Sequence, residues 1–124
     1  MKIRTSRKGG FTLVEIMITV AIIGMLSAIG VPSAMKARES AQYNSIINNL
    51  RIIEGSKDQW ALENKKAPGS LPMAADLAGH LKNNTMPQVV TGETYNITPV
   101  GTSANATTPV KLGPVPAGGT VTIP

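Results

Sequence analysis

The chain has 124 residues, a formal net charge of +5 and no cysteine. That length leaves room for at most one small domain beside a membrane segment. The missing cysteines exclude a disulfide framework and the usual structural-zinc patterns.

The charge is unevenly placed. Lys2, Arg4, Arg7 and Lys8 supply four of the twelve basic residues, and no acid lies within Met1–Gly10. Without that leader, eight basic side chains face seven acidic ones, a balance of only +1. Such a balance is no electrostatic footprint for nucleic acid, and no nucleic-acid partner is expected. The leader instead marks a cytoplasmic flank by the positive-inside rule, so the C-terminal part is the part that crosses.

Directly behind Gly9-Gly10 comes an apolar run, Phe11 to Val31, whose only charge is Glu15. As a helix it is roughly 30 Å long, enough to cross a bilayer. A carboxylate inside such a segment is costly, and it points to later pairing with a cation. A secretory signal peptide cut near Ala28-Ile29-Gly30 would explain the basic start. It does not explain an acid near the head of the run, or the run's length. A plain membrane anchor explains the hydrophobicity but not Gly10-Phe11 followed by Glu15.

Pro32 lacks an N–H and crowds the Ala28 carbonyl, and Gly24 and Gly30 flank the same stretch, so a helix break or flexible joint is expected there. Small residues four apart at Gly24 and Ala28, and at Ser33, Ala37 and Ala41, allow close helix approach. From Ser33 to Asn64 the apolar positions Met35, Tyr43, Ile46, Ile47, Leu50, Ile53 and Trp60 recur at helical spacing. Arg38, Glu39, Gln42, Asn48, Arg51 and Asp58 occupy the other faces, so this is a half-buried helix that needs a partner surface. Gly55 weakens it by roughly 0.5–1 kcal/mol relative to alanine. Asn64 to Gly69 carries the stop signals.

Leu71–Lys82 reads as a short helix, with Pro72 in its first turn and Leu77 and Leu81 as an apolar pair. Tyr95 and Ile97 alternate with polar neighbours as a strand does. Val110–Leu112 and Thr120–Ile123 are further short strands, Thr98–Gly101 is a turn, and Gly101–Thr108 is the expected mobile loop. A small antiparallel sheet should pack on the Tyr43–Trp60 stripe. Asp76 and His80 share a helical face, a solvated pair rather than a metal site. The sequons at Asn83, Asn96 and Asn105 read as chance matches.

Gly10-Phe11-Thr12-Leu13-Val14-Glu15-Ile16 closely resembles the class III signal of type IV pilins and type II secretion pseudopilins. The detailed match reaches from Lys8 to about Ser40. The resemblance implies cleavage between Gly10 and Phe11 by a prepilin peptidase that also methylates the new Phe11 terminus. It further implies that Glu15 pairs with the terminal amine of a neighbouring copy, and that the Gly24–Pro32 stretch can unwind when subunits pack. Many type IV pilins carry a disulfide loop, and its absence here tilts the resemblance toward the secretion branch. Major pseudopilins bind calcium through acidic side chains in a C-terminal loop. Beyond Glu93 this chain has no Asp or Glu, so no metal site and no cofactor are expected.

The expected fold class is α+β and pilin-like. A leader (1–10), a membrane and assembly helix (11–32), an amphipathic continuation (33–66) and a small β-containing head (67–124) follow in order. The expected role is structural rather than enzymatic: a subunit of a type II secretion pseudopilus or related filament. Its partners would be the prepilin peptidase, other copies and minor pseudopilins, an inner-membrane assembly platform and the lipid bilayer. The N-terminus would be cytoplasmic and the head periplasmic, in a bacterial inner membrane and then in a filament. A type IV pilin for adhesion, motility or DNA uptake is the alternative within the family, and a membrane-anchored periplasmic binding module the alternative outside it.

Overall fold

The computed structural model describes residues 9–124; the leader cations Lys2, Arg4, Arg7 and Lys8 lie outside the described residues. Helix α1 spans Leu13–Glu63, and α2 spans Ala74–Ala78. A single 3-10 turn at Lys82–Asn84 precedes three strands, β1 (Thr94–Asn96), β2 (Asn105–Thr107) and β3 (Thr120–Thr122). By contacts the chain divides into two units, one ending at Met35 and the other Lys36–Pro124.

In the first unit every described side chain from Phe11 to Met35 is exposed. It holds the one helix segment among the described residues that is long and apolar enough to cross a membrane. The helix assignment runs unbroken through Gly24, Gly30 and Pro32. The joint expected at these residues is therefore not a helix end, since all three lie inside α1. Proline removes one ladder hydrogen bond, and the turns on either side keep theirs. Met35, which periodicity places on the buried stripe, is also exposed.

The second unit contains the core. Ile46, Ile47, Leu50, Ile53, Trp60 and Ala61 of α1 gather with Leu77, Leu81, Ala104, Ala106, Leu112 and Val121. The stripe from Tyr43 to Trp60 is thus covered as its spacing demands. The sheet is antiparallel in the order β1-β2-β3. Its register aligns Tyr95, Ala106 and Val121, and this row is the inward-facing one. Thr94, Asn96, Thr107, Thr120 and Thr122 point outward, the alternation of a sheet with one wet face.

α1 ends in a Schellman motif. Lys66 N–H donates to the Ala61 carbonyl at 2.9 Å and Lys65 N–H to that of Leu62 at 3.4 Å. Lys65 sits in the left-handed region at φ 49°, where a glycine is usual.

Four expectations change here. Gly101–Thr108 is not a free loop, because Ala104, Ala106 and Thr108 are fully buried and β2 forms inside it. Short Ala and Asn side chains give no strand signal, yet Ala106 is buried in the common core with the α1 residues. Val110–Leu112 is not a strand; Leu112 and Val115 form an isolated bridge across a tight turn. The turn expected at Thr98–Gly101 closes one residue later, with Thr102 N–H on the Pro99 carbonyl at 3.0 Å. The helix expected over Leu71–Lys82 is shorter, and Pro72 precedes its cap residue Met73. Leu77 and Leu81 are nonetheless both buried.

Candidate functional site

The residues expected to serve processing and assembly lie at the head of the apolar run. Gly10 lies before the helix, and a Cβ built on it meets no atom within 4 Å. Nothing in the chain's own fold therefore demands glycine there. Phe11 is 87% exposed and also lies outside α1.

Glu15 is the third residue of α1, and Thr12 is its N-cap. The Glu15 carboxylate accepts the Thr12 N–H at 2.8 Å, and the Thr12 hydroxyl accepts the Glu15 N–H at 3.2 Å. This is a reciprocal capping box, which satisfies two of the otherwise unpaired amides at a helix start. The acid also sits where the positive end of the helix dipole favours it. Phe11 lies outside the helix and so shares no helical turn with Glu15. Thr12 is a site residue the sequence reading passed over. Its signal, Thr-x-x-Glu ahead of an apolar run, is visible in the residues alone.

Gly24 and Gly30 are likewise open, with no atom within 4 Å of a built Cβ. Pro32 is exposed within α1. The first unit thus brings Thr12 and Glu15 together. It presents Phe11, Gly24, Gly30 and Pro32 as separate exposed positions.

Two polar clusters in the second unit hold chain segments against α1. In one, Glu93 is 3% exposed and accepts the N–H groups of Val90 and Thr91 at 2.8–3.0 Å. It also accepts the Tyr95 hydroxyl, while Asn49 on α1 donates to that hydroxyl at 2.7 Å and to the Gln88 carbonyl at 3.1 Å. Burial pushes the Glu93 carboxyl up, but donors from Tyr95, Thr91 and Val90 together outweigh it and hold it below the ordinary value. Tyr95 is pushed upward by burial and by the neighbouring carboxylate. In the other cluster, Lys57 pairs with Glu54 at 3.0 Å.

Asp76 and His80 do not act together. Asp76 accepts the Met73 N–H at 2.9 Å, and His80 lies 3.4 Å from Glu63. Among the described residues no group of three or more His, Asp or Glu side chains could hold a metal ion.

Residues 5–31 match the family model for the prokaryotic N-terminal methylation motif. Over 62 residues the chain is 37% identical to the type II secretion system core protein G of Klebsiella pneumoniae, covering 50% of this chain and 44% of that protein. The corresponding protein of Escherichia coli is 34% identical over 64 residues, covering 52% and 44%. That of Vibrio cholerae is 31% identical over 62 residues, covering 50% and 42%. The chain thus spans less than half the length of the relatives it matches. No solved structure matches it. The chain thus carries the prokaryotic N-terminal methylation motif at the head of an exposed apolar helix, and over about half of its length it is similar to type II secretion system core proteins G.

Proposed function

We propose that this chain is a structural subunit of a type II secretion pseudopilus or a related type IV-like filament. In this reading a prepilin peptidase cuts between Gly10 and Phe11 and methylates the new terminus. The cut removes four cations and creates an α-amine on Phe11, which is protonated near neutral pH. That amine needs an anion in a low-dielectric setting, and Glu15 of a neighbouring copy supplies it. The open glycines at Gly24 and Gly30 let stems approach closely, and Pro32 marks where α1 opens during packing. The stem (11–32) serves membrane and assembly, residues 33–66 continue it, and 67–124 form a periplasmic head. The inner-membrane platform, minor pseudopilins and the bilayer are the remaining partners.

The observation that carries this reading is the first unit itself. From Leu13 to Met35 it exposes an apolar helix whose single carboxylate stands at its start, five residues after the proposed cut. Such a surface requires lipid or other helices. Mass spectrometry of the mature N-terminus, with electron microscopy of sheared surface material from cells overproducing the chain, tests it. Methylated Phe11 and ordered fibres are expected. A mature protein that keeps residues 1–10 while still forming fibres would overturn it.

A further inference from the structure

The most enclosed charge in the second unit is one that the assembly reading does not use. Lys57 is 0% exposed, although it lies on a helix whose other basic residues point to water. Its ammonium has three donors and three oxygen partners, each from a different place. They are Glu54 Oε2 on α1 at 3.0 Å, Thr98 Oγ1 at 3.0 Å, and the Thr102 carbonyl. An ammonium has no further donor to satisfy.

The oxygens are themselves tied together. Thr98 Oγ1 donates to the Thr102 carbonyl at 2.8 Å, and Glu54 Oε2 also accepts the Ala104 N–H at 2.8 Å. The segment Thr98–Ala104 thus folds around the Lys57 ammonium and is fastened to α1 at both of its ends. A second segment hangs on the first, because Gly69 N–H donates to the Val100 carbonyl and Val100 N–H to that of Ser70, each at 2.9 Å. Between its anchored ends only Gly101, Thr102 and Ser103 are exposed.

A carboxylate, a hydroxyl and a backbone carbonyl converging on one positive centre is the ligand chemistry of a hard cation. We infer that the Lys57 ammonium is a built-in structural cation: it closes the Thr98–Ala104 loop on α1, and holds the Gly69–Ser70 segment through it, as a bound ion would. Burial makes this cluster sensitive to charge, since removing the ammonium takes away the one donor to Thr98 Oγ1 and one of the two donors to the Thr102 carbonyl and to Glu54 Oε2. Methionine fills much of the same volume as the lysine stem, and Glu54, one quarter exposed, can then turn to water.

Amide hydrogen exchange on the full chain in detergent micelles tests this. Lys57→Met should accelerate exchange at Val100, Ala104 and Gly69 at least tenfold, while the Ile46–Ile53 amides of α1 stay protected. Wild-type protection at the same amides should be the same with EDTA and with added calcium chloride. Thr98→Val keeps both charges and removes one acceptor. It should loosen the same loop to a smaller extent, so the test holds if Lys57→Met lowers protection throughout the second unit. Unchanged loop protection in Lys57→Met or in Thr98→Val would overturn the inference. So would loss of wild-type protection in EDTA, because an exchangeable ion would then be closing the loop.

Discussion

Thr12 and Glu15 each accept the other's backbone N–H, at 3.2 and 2.8 Å, and so close the first turn of α1 two residues after the proposed cut. The box survives cleavage, because none of its atoms belong to the leader. Glu15 therefore has a local task, capping, beside the proposed pairing with a terminal amine.

The two tasks separate by substitution. Glutamine at N3 can still complete a capping box, but it carries no charge. Glu15→Gln is expected to leave the helix start and leader removal intact and to reduce sheared filament yield to background. Filaments at wild-type yield would mean that capping alone is what Glu15 supplies. Thr12→Ala removes the cap hydroxyl and should cost about 1 kcal/mol of local helix stability. Filament yield should fall only in part, which quantitative immunoblotting of sheared fractions measures.

Gly10→Ala addresses the cut. The position is open, so the substitution should leave thermal melting of the purified precursor unchanged. Leader removal should slow, because a side chain at the scissile glycine hinders an extended backbone in a protease cleft. Pulse labelling of precursor and mature bands reads the rate, and equal rates would separate glycine from recognition.

Lys65 occupies the left-handed C′ position of the Schellman motif. A side chain there carries strain of roughly 1–2 kcal/mol that glycine avoids. Glycine also gains entropy in the unfolded chain, which offsets part of that. Lys65→Gly should therefore raise stability by about 0.5–1 kcal/mol, seen as a higher denaturation midpoint at unchanged slope.

The Glu93–Tyr95 cluster makes stability depend on pH at both extremes. The folded Glu93 carboxyl lies below its ordinary value of 4.5, so its contribution is present above that pH and is lost as pH falls through the lower folded value. Tyr95 is raised above 10.0, so its contribution is present below pH 10 and is lost as pH rises beyond it. Denaturation midpoints across pH should fall at both ends. Glu93→Gln should flatten the acid limb. Tyr95→Phe should flatten the alkaline limb and cost about 1–3 kcal/mol, since it leaves a buried carboxylate oxygen short of a donor.

The long helix, the membrane-competent run, the N-terminal methylation motif and the buried stripe were all legible, because each follows from local order along the chain. Helical periodicity places Ile46, Leu50 and Ile53 on one face whatever covers that face. Strand β2 was not legible, since Asn105-Ala106-Thr107 has one β-branched residue and only a small alanine on its inward side. Its alanine is chosen by what lies opposite. Lys57 was equally hidden: a lysine beside Asp58 on a helix reads as solvated until the Thr98–Ala104 loop closes over it.

Order along one strand of polypeptide was enough to determine the stem, its lone acid, the junction in front of it and the side of α1 that must be covered, because hydrophobic spacing and short-range hydrogen bonds act between near neighbours. Only the tertiary structure decided which distant segments cover α1 and which polar atoms meet there. Asn49 with Tyr95 and Lys57 with Thr98 are more than forty residues apart, and the energy of a buried polar contact exists only once folding has removed the water around it.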